Sequence, residues 1–212
     1  MSYFITGTDT GVGKTHTAVQ ILRLLRASGA SCAAMKPICC GDREDAKLLL
    51  GASDDGFTIE DLNPVWLKTP AAPLAASMAE NVNIDIGHIV DAFQALRQRV
   101  QHVIVEGVGG WLVPILPDYF VSNLAAELRL PVVIVVQNKL GCLNHTALTV
   151  RSVQDHGLVV AGMVLNKTPE GQDVALSTNG QLLASMFPDT RLLPELGSEL
   201  RGFPAAWRPL FA

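Results

Sequence analysis

Charged side chains are scarce in this 212-residue chain, at 17% of residues, while apolar ones make up 49%. That balance excludes a disordered chain and favours a sheet buried on both faces. Basic charge is not in excess: 16 lysines and arginines stand against 20 acids, giving a net charge of −4 and a pI near 5.7. Nothing electrostatic therefore draws the whole protein to nucleic acid or to an anionic membrane. Long apolar runs are missing too. The most apolar segment, Leu130 to Val136, is far shorter than the roughly 20 residues of a membrane span. Residues Met1 to Gly7 lack the basic flank and apolar stretch of a signal peptide, so export is not expected. The four cysteines (Cys32, Cys39, Cys40, Cys142) form no C-x-x-C, which argues against a disulfide framework or a zinc site and fits a reducing cytoplasm. The five histidines show no H-E-x-x-H or other paired spacing, so an imidazole-held catalytic metal is not expected. No internal repeat or low-complexity tract occurs.

What is present is an alternation. Short β-rich apolar runs at Tyr3–Thr6, Ser31–Lys36, His102–Val105, Val132–Gln137 and Val159–Leu165 read as buried strands. Helical patterns over 14–27, 84–100 and 142–156 fit between them, the first stopping at Ser28-Gly29. This rhythm predicts βαβ units: an α/β fold of three layers with a mainly parallel sheet and ligands at the carboxyl ends of its strands. Residues 52–83 turn Asp-, Pro- and Ala-rich and read as a long connection carrying one short helix. The tail from Leu193 reads as a packed irregular end, so residues 1–212 are expected to form a single domain.

The strongest motif is Gly7-Thr8-Asp9-Thr10-Gly11-Val12-Gly13-Lys14-Thr15, directly after the first strand and opening the first helix. Glycines there let successive backbone N–H groups aim at phosphate oxygens, and the helix amino terminus adds partial positive charge. Lys14 would bridge the β- and γ-phosphates and Thr15 would offer its hydroxyl to Mg²⁺. The usual spacing is G-x-x-x-x-G-K-[ST]; here position 8 is Thr and the first glycine sits one residue early.

Other residues gather around that loop in the expected topology. Lys36, in Met35-Lys36-Pro37 at the end of the second strand, would point into the crevice and hold negative charge on a phosphoryl group or an anionic substrate. A solvated strand end is the alternative. His102-Val103-Ile104-Val105-Glu106-Gly107-Val108-Gly109-Gly110 resembles a Walker B strand with Glu for Asp, and Asp45 would add a second carboxylate to a magnesium site. Asn166, ending a late strand, suits a purine edge, or ordinary turn chemistry. Asn138-Lys139-Leu140-Gly141 lacks the acid of N-K-x-D, which disfavours GTP. Gly141-Cys142-Leu143-Asn144-His145 opens a helix whose amides suit a carboxylate, with helix capping by Asn144 as the alternative.

Taken as a set, YFITGTDTGVGKT, MKPICCG, VIVEGVGGWLVP, LPVVIVVQNKLGCLNHT and VLNK resemble the dethiobiotin synthetases, ATP-dependent ring-closing enzymes of biotin synthesis. The resemblance spans residues 3 to about 167 and implies a P-loop NTPase fold. It implies ATP, Mg²⁺, CO₂ and 7,8-diaminononanoate as reactants, a carbamate and then a carbamic-phosphoric anhydride as intermediates, and dethiobiotin as product. By resemblance, Gly11, Val12, Gly13, Lys14, Thr15 and His16 form the ATP loop, and Thr15, Asp45 and Glu106 the magnesium set. Lys36 matches the catalytic lysine, with Thr10 and Lys14 beside the reacting phosphate. Gly107, Val108 and Gly109 match the turn flanking the substrate, and Asn166 the adenine contact. The family pattern also implies a homodimer in which Leu143 and Asn144 bind the substrate carboxylate of the neighbouring subunit. The chain departs from the pattern at Cys40, where many members place a hydroxyl near the substrate. It departs again in 168–192, which lacks a tyrosine, and in Leu193-Pro194-Glu195-Leu196, which only loosely matches the adenine-edge loop. The competing reading is a partition or site-selection ATPase switch acting through a protein partner. The extra lysine early in its phosphate loop is missing here, where positions 8 and 9 are Thr and Asp.

Overall fold

The computed structural model describes residues 1–166 and 174–211. Strand β1 (Ser2–Gly7) leads through a glycine loop into α1 (Lys14–Ala27), then β2 (Cys32–Met35), β3 (Ile38–Cys40), α2 (Glu44–Ala52), α3 (Ile59–Leu62) and β4 (Val65–Leu67). Next come α4 (Pro73–Glu80), α5 (Ile86–Arg99), β5 (His102–Glu106), β6 (Pro114–Leu116), β7 (Tyr119–Phe120), α6 (Val121–Glu127) and β8 (Val132–Gln137). The chain continues through α7 (Cys142–Asp155), β9 (Val160–Asn166), α8 (Val174–Met186), β10 (Leu192–Leu193) and α9 (Arg208–Phe211).

Six strands form one sheet in the order β10-β9-β8-β1-β5-β2, and every neighbouring pair is parallel. The period of two along each strand sorts side chains into two cores. Tyr3, Ile5, Ala34, Ile104, Val133 and Val135 face one core with α1, α2 and the carboxyl-terminal tail. Phe4, Ala33, Val103, Val105, Val132 and Ile134 face the other, with α5, α6 and α7. The three layers expected from the sequence follow directly. Helix α1 ends in a Schellman turn: Gly29 (φ 82°) donates to Arg26 O and Ala30 N to Leu25 O, so these two carbonyls of its last turn are satisfied.

The differences from the sequence reading lie at the edges. Strand β2 stops at Met35, not Lys36, because Lys36 N donates to Leu62 O at 2.7 Å and Pro37 has no N–H to continue a ladder. Residues 52–83 hold two short helices and strand β4, which pairs in parallel with β3, where one helix was expected. The tail is packed as expected: Trp207 is fully buried and donates from Nε1 to Pro194 O at 2.8 Å. No helix among the described residues is long and apolar enough to cross a membrane.

Candidate active site

Strand β1 is flanked by β5 and β8. The loop from its carboxyl end therefore opens where the chain is free to place groups from several strands. Gly7 is needed one residue before the usual position: a Cβ there would lie 2.8 Å from Asp9 O and 2.6 Å from Val12 Cγ2. Thr8, in contrast, has no positive φ and so needs no glycine. Gly13 has φ 94°, and a Cβ on it would lie 2.3 Å from Asn166 Nδ2. The departure in spacing is thus accommodated with a close-fitting loop. Lys14 folds back over it, Nζ donating to Asp9 O at 3.1 Å, and is almost completely buried. Burial, reinforced by the positive charge of Lys36, pulls its amine down to about 8.

Lys36, Thr15, Asp45 and Glu106 come together although Lys36 follows β2 and the others arise from α1, α2 and β5. Lys36 Nζ donates to Glu106 Oε1 at 2.6 Å and to Asp45 Oδ2 at 2.8 Å. Thr15 Oγ1 lies 2.8 Å from Glu106 Oε1 and 2.9 Å from Asp45 Oδ1. Burial disfavours the Lys36 ammonium, but the two carboxylates outweigh it and hold the amine above its ordinary range. Lys36 thus stays charged, and an ammonium without a lone pair stabilises anions instead of abstracting protons. Desolvation opposes the Asp45 carboxylate, yet Lys36 holds its carboxyl below the ordinary range. The solvated strand end considered for Lys36 is not what the fold provides, since it is 3% exposed.

These groups line one cleft of about 660 Å³, with Thr10, Gly11, Gly13, Cys40, Val108 and Gly109 on its walls. Gly107 lies between Glu106 and Val108, where a Cβ would come within 3.0 Å of Phe4 Cε1 and 3.1 Å of Val121 Cγ1. Mg²⁺ fits this donor set. Among the described residues Glu106 Oε2 is buried with no hydrogen-bond partner, and the nearby Asp45 carboxylate and Thr15 hydroxyl are hard oxygens. Two carboxylates suit an ion that keeps water and phosphate oxygens as its other ligands.

The AAA domain family profile matches residues 1–197. An ATP-dependent dethiobiotin synthetase from Akkermansia muciniphila is 42% identical over 195 residues, covering 92% of this chain and 91% of that protein. Another, from Aliivibrio fischeri, is 37% identical over 204 residues, covering 92% and 88%. The chain belongs to the ATP-dependent dethiobiotin synthetase family, a family of ligases. Among solved structures, the signal recognition particle receptor FtsY of Elizabethkingia anophelis with GDP has a TM-score of 0.57 at 13% identity, covering 96% of this chain and 59% of that one. A ParA family ATPase of Chlorobium tepidum has a TM-score of 0.53 at 10% identity, covering 92% and 84%. At such identities the likeness is one of fold.

For the dethiobiotin synthetase family, the remaining expected residues sort into near and far. Asn166 sits behind the phosphate loop, Nδ2 donating to Val12 O at 2.8 Å, and its buried Oδ1 has no partner among the described residues. A second cleft, about 630 Å³, is lined by Leu165 and residues 192–195 with Gly197 and Glu199. His16 Nε2 lies 3.1 Å from Leu196 O at that side. Asn138 does not project a free amide: its Nδ2 donates to Leu176 O and its Oδ1 accepts from Asn179 Nδ2, tying β8 to α8. Leu143 and Asn144 lie in the first turn of α7, outside the cleft that Lys36 lines. Gly141 (φ 90°) is the N-cap of the helix, with no side-chain cap, so capping by Asn144 is not what the fold provides. Lys167 and residues 168–173 lie outside the described residues.

Two residues escaped sequence reading. Arg43 and Asn63 sit beside the cleft on the 52–83 side, joined by a bond from Arg43 Nε to Asn63 Oδ1 at 2.9 Å. The available signal was the Asn63-Pro64 dipeptide, which marks a turn but not its hydrogen bonds.

Proposed function

We propose that the protein closes the cyclic urea of dethiobiotin from 7,8-diaminononanoate, CO₂ and ATP. The carrying observation is the meeting of Lys36, Asp45, Glu106 and Thr15 beside the phosphate loop, in a cleft with room for a small substrate. One amine of the diamine adds to CO₂, forming an N–C bond and losing a proton to give a carbamate. A carbamate oxygen then attacks the γ-phosphorus of ATP, the bond to the bridging oxygen breaks, and ADP leaves. The second amine attacks the carbamoyl carbon, a proton is lost, and phosphate departs as the urea ring closes.

Each step before ring closure concentrates negative charge, so the chain's contribution is neutralisation and positioning. Lys14 and Thr10 serve the transferring phosphate, with Gly11, Val12, Gly13 and His16 around the phosphates. Lys36, held charged, neutralises the carbamate and the phosphoryl oxygens as they approach in line. Thr15, Asp45 and Glu106 would hold Mg²⁺, which supplies charge neutralisation on the phosphates when bound. Asn166 spends one Nδ2 hydrogen on Val12 O and keeps Oδ1 without a partner among the described residues, an acceptor that suits an exocyclic amine such as that of adenine. Cys40, Gly107, Val108 and Gly109 would flank the diamine.

We extend the reading to one catalytic domain over residues 1–212 that works in the cytoplasm as a homodimer without nucleic acid or membrane partners. Free thiols at Cys32, Cys39, Cys40 and Cys142 suit a reducing compartment. Exposed Leu112, Leu140 and Leu148, near the sequence of Leu143 and Asn144 or on the same groove as the phosphate loop, support the paired subunit. The test is phosphate release with ATP and Mg²⁺, omitting the diamine and bicarbonate in turn, with mass detection of product. Release that needs both and yields dethiobiotin carries the reading; release indifferent to both ends it.

A further inference from the structure

We propose that Asn63 is a positioning residue that sets the Lys36 ammonium and the Asp45 carboxylate relative to one another. The proposal rests on the reading of Lys36 as the charge-neutralising lysine. Lys36 stands at a break in the fold. Strand β2 ends one residue earlier, Pro37 follows, and the main-chain groups of Lys36 lie outside the central sheet's ladder. Residues 62 and 63 take over both of them. Lys36 N donates to Leu62 O at 2.7 Å, and Asn63 Nδ2 donates to Lys36 O at 2.8 Å.

The same residue also holds the start of the helix that carries the other partner of the ion pair. Asn63 Oδ1 accepts from Arg43 Nε at 2.9 Å, and Asn63 O accepts from Arg43 Nη2 at 3.1 Å. Arg43 is the residue from which α2 starts, with Lys47 N donating to Arg43 O at 2.9 Å, and Asp45 lies two positions on in the first turn. Fixing Arg43 therefore fixes the helix start that presents Asp45 to Lys36 Nζ at 2.8 Å. The second Nδ2 hydrogen serves Val65 O at 2.9 Å, so the side chain uses two donations and one acceptance. It is 2% exposed, where unmade bonds are costly.

That hydrogen-bond count is selective. An aspartate at 63 keeps the Arg43 contact but places a second oxygen against the carbonyls of Lys36 and Val65. An alanine leaves both carbonyls and Arg43 Nε without their partner, while Arg43 Nη2 keeps the main-chain oxygen of residue 63. Arg43 itself is anchored, Nη1 donating to Glu60 at 3.2 Å and the guanidinium lying 5.0 Å from the Trp66 ring centroid. The clamp thus joins the strand end that carries Lys36 to the helix start that carries Asp45, from behind the cleft and without entering it.

The experiment compares wild type with Asn63→Asp, Asn63→Ala and Arg43→Lys in the full chain, measuring ring-closure kcat, KM for each substrate and ATP binding. The expected result is a kcat lowered about ten- to a hundredfold with ATP affinity within about twofold, since the phosphate loop is not touched. Crossing Asn63→Asp with Asp45→Asn should give effects on kcat well short of multiplicative, because both act on one pair, whereas general loosening would multiply. Should the Asn63 variants not fold, Arg43→Lys, whose ammonium cannot reproduce the Nε and Nη2 fork, carries the same expectation. Wild-type-like kcat in folded variants, or fully multiplicative effects in the cross, overturns the proposal. Absence of dethiobiotin formation by wild type would instead remove the reading on which it rests.

Discussion

Lys36 Nζ and Glu106 Oε1 are 2.6 Å apart, and both side chains are withdrawn from water. Breaking such a pair strands the remaining charge. Lys36→Met should therefore cost about 3–5 kcal/mol in denaturant unfolding, because the Glu106 carboxylate stays buried without its ammonium. The Asp45 contact adds less to stability, since that side chain is half exposed. Ring closure should vanish while ATP binding survives on the phosphate loop. Retained turnover in a folded Lys36→Met protein would remove Lys36 from the chemistry.

The two lysines respond to pH in opposite ways. Lys36 is held above its ordinary value of 10.5, so its stabilising pairing is complete below that pH and fades only above it. Lys14 is lowered from 10.5 to about 8, so between those values the unfolded chain binds the extra proton and stability from this group rises with pH. At pH 7 the buried Lys14 ammonium is a net cost. Lys14→Met should raise stability there by about 1–3 kcal/mol while destroying activity. Anionic phosphate favours the protonated amine, so ATP binding at pH 9 should take up protons in calorimetry across buffers of different ionisation enthalpy. No uptake at pH 9 would show that Lys14 does not face the phosphates.

How far the sequence reached depended on whether a feature is local. The phosphate loop, Lys36, Glu106 and the alternation of strands and helices are written in contiguous residues, and the five expected strands appear in the central sheet. Asp45 was legible only as an acid after the second strand; its meeting with Lys36 requires the path through α2. Strand β4 was not legible, because Val65–Leu67 is three residues long and owes its extension to pairing with β3. Helix α8 buries only Asn179 and Leu183 among its described side chains, too little for a helical rhythm. Asn63 was hidden for the same reason as β4: its role is a set of bonds to Lys36, Arg43 and Val65 that no spacing encodes.

Gly13 and Asn166 are fitted to each other across 153 positions of sequence, and two separate penalties attach to the glycine. Its φ of 94° strains any L side chain, and a Cβ would lie 2.3 Å from Asn166 Nδ2. Gly13→Ala should abolish measurable ATP binding. Adding Asn166→Ala removes the clash but not the backbone strain, so the double variant should recover part of the stability lost and little of the affinity. Full recovery of ATP affinity would mean that the loop's backbone conformation is not what binds phosphate.

Trp207 couples the carboxyl-terminal tail to the side of the molecule where Asn166 lies. Its ring is completely buried, stacks with Phe211 at 6.4 Å and donates from Nε1 to Pro194 O at 2.8 Å. Pro194 opens the segment that carries Leu196, whose carbonyl lies 3.1 Å from His16 Nε2 at the start of α1. Trp207→Ala should cost about 3–5 kcal/mol through the cavity it leaves. Trp207→Phe keeps most of the packing and removes only the donor, so it separates the two contributions. If the 194–199 segment forms a wall of the nucleotide site, Trp207→Phe should raise the Kd for ATP several-fold by freeing Pro194, with little change in the KM for the diamine. Unchanged ATP affinity in Trp207→Phe would place that segment outside the site, leaving Trp207 with a role in stability alone.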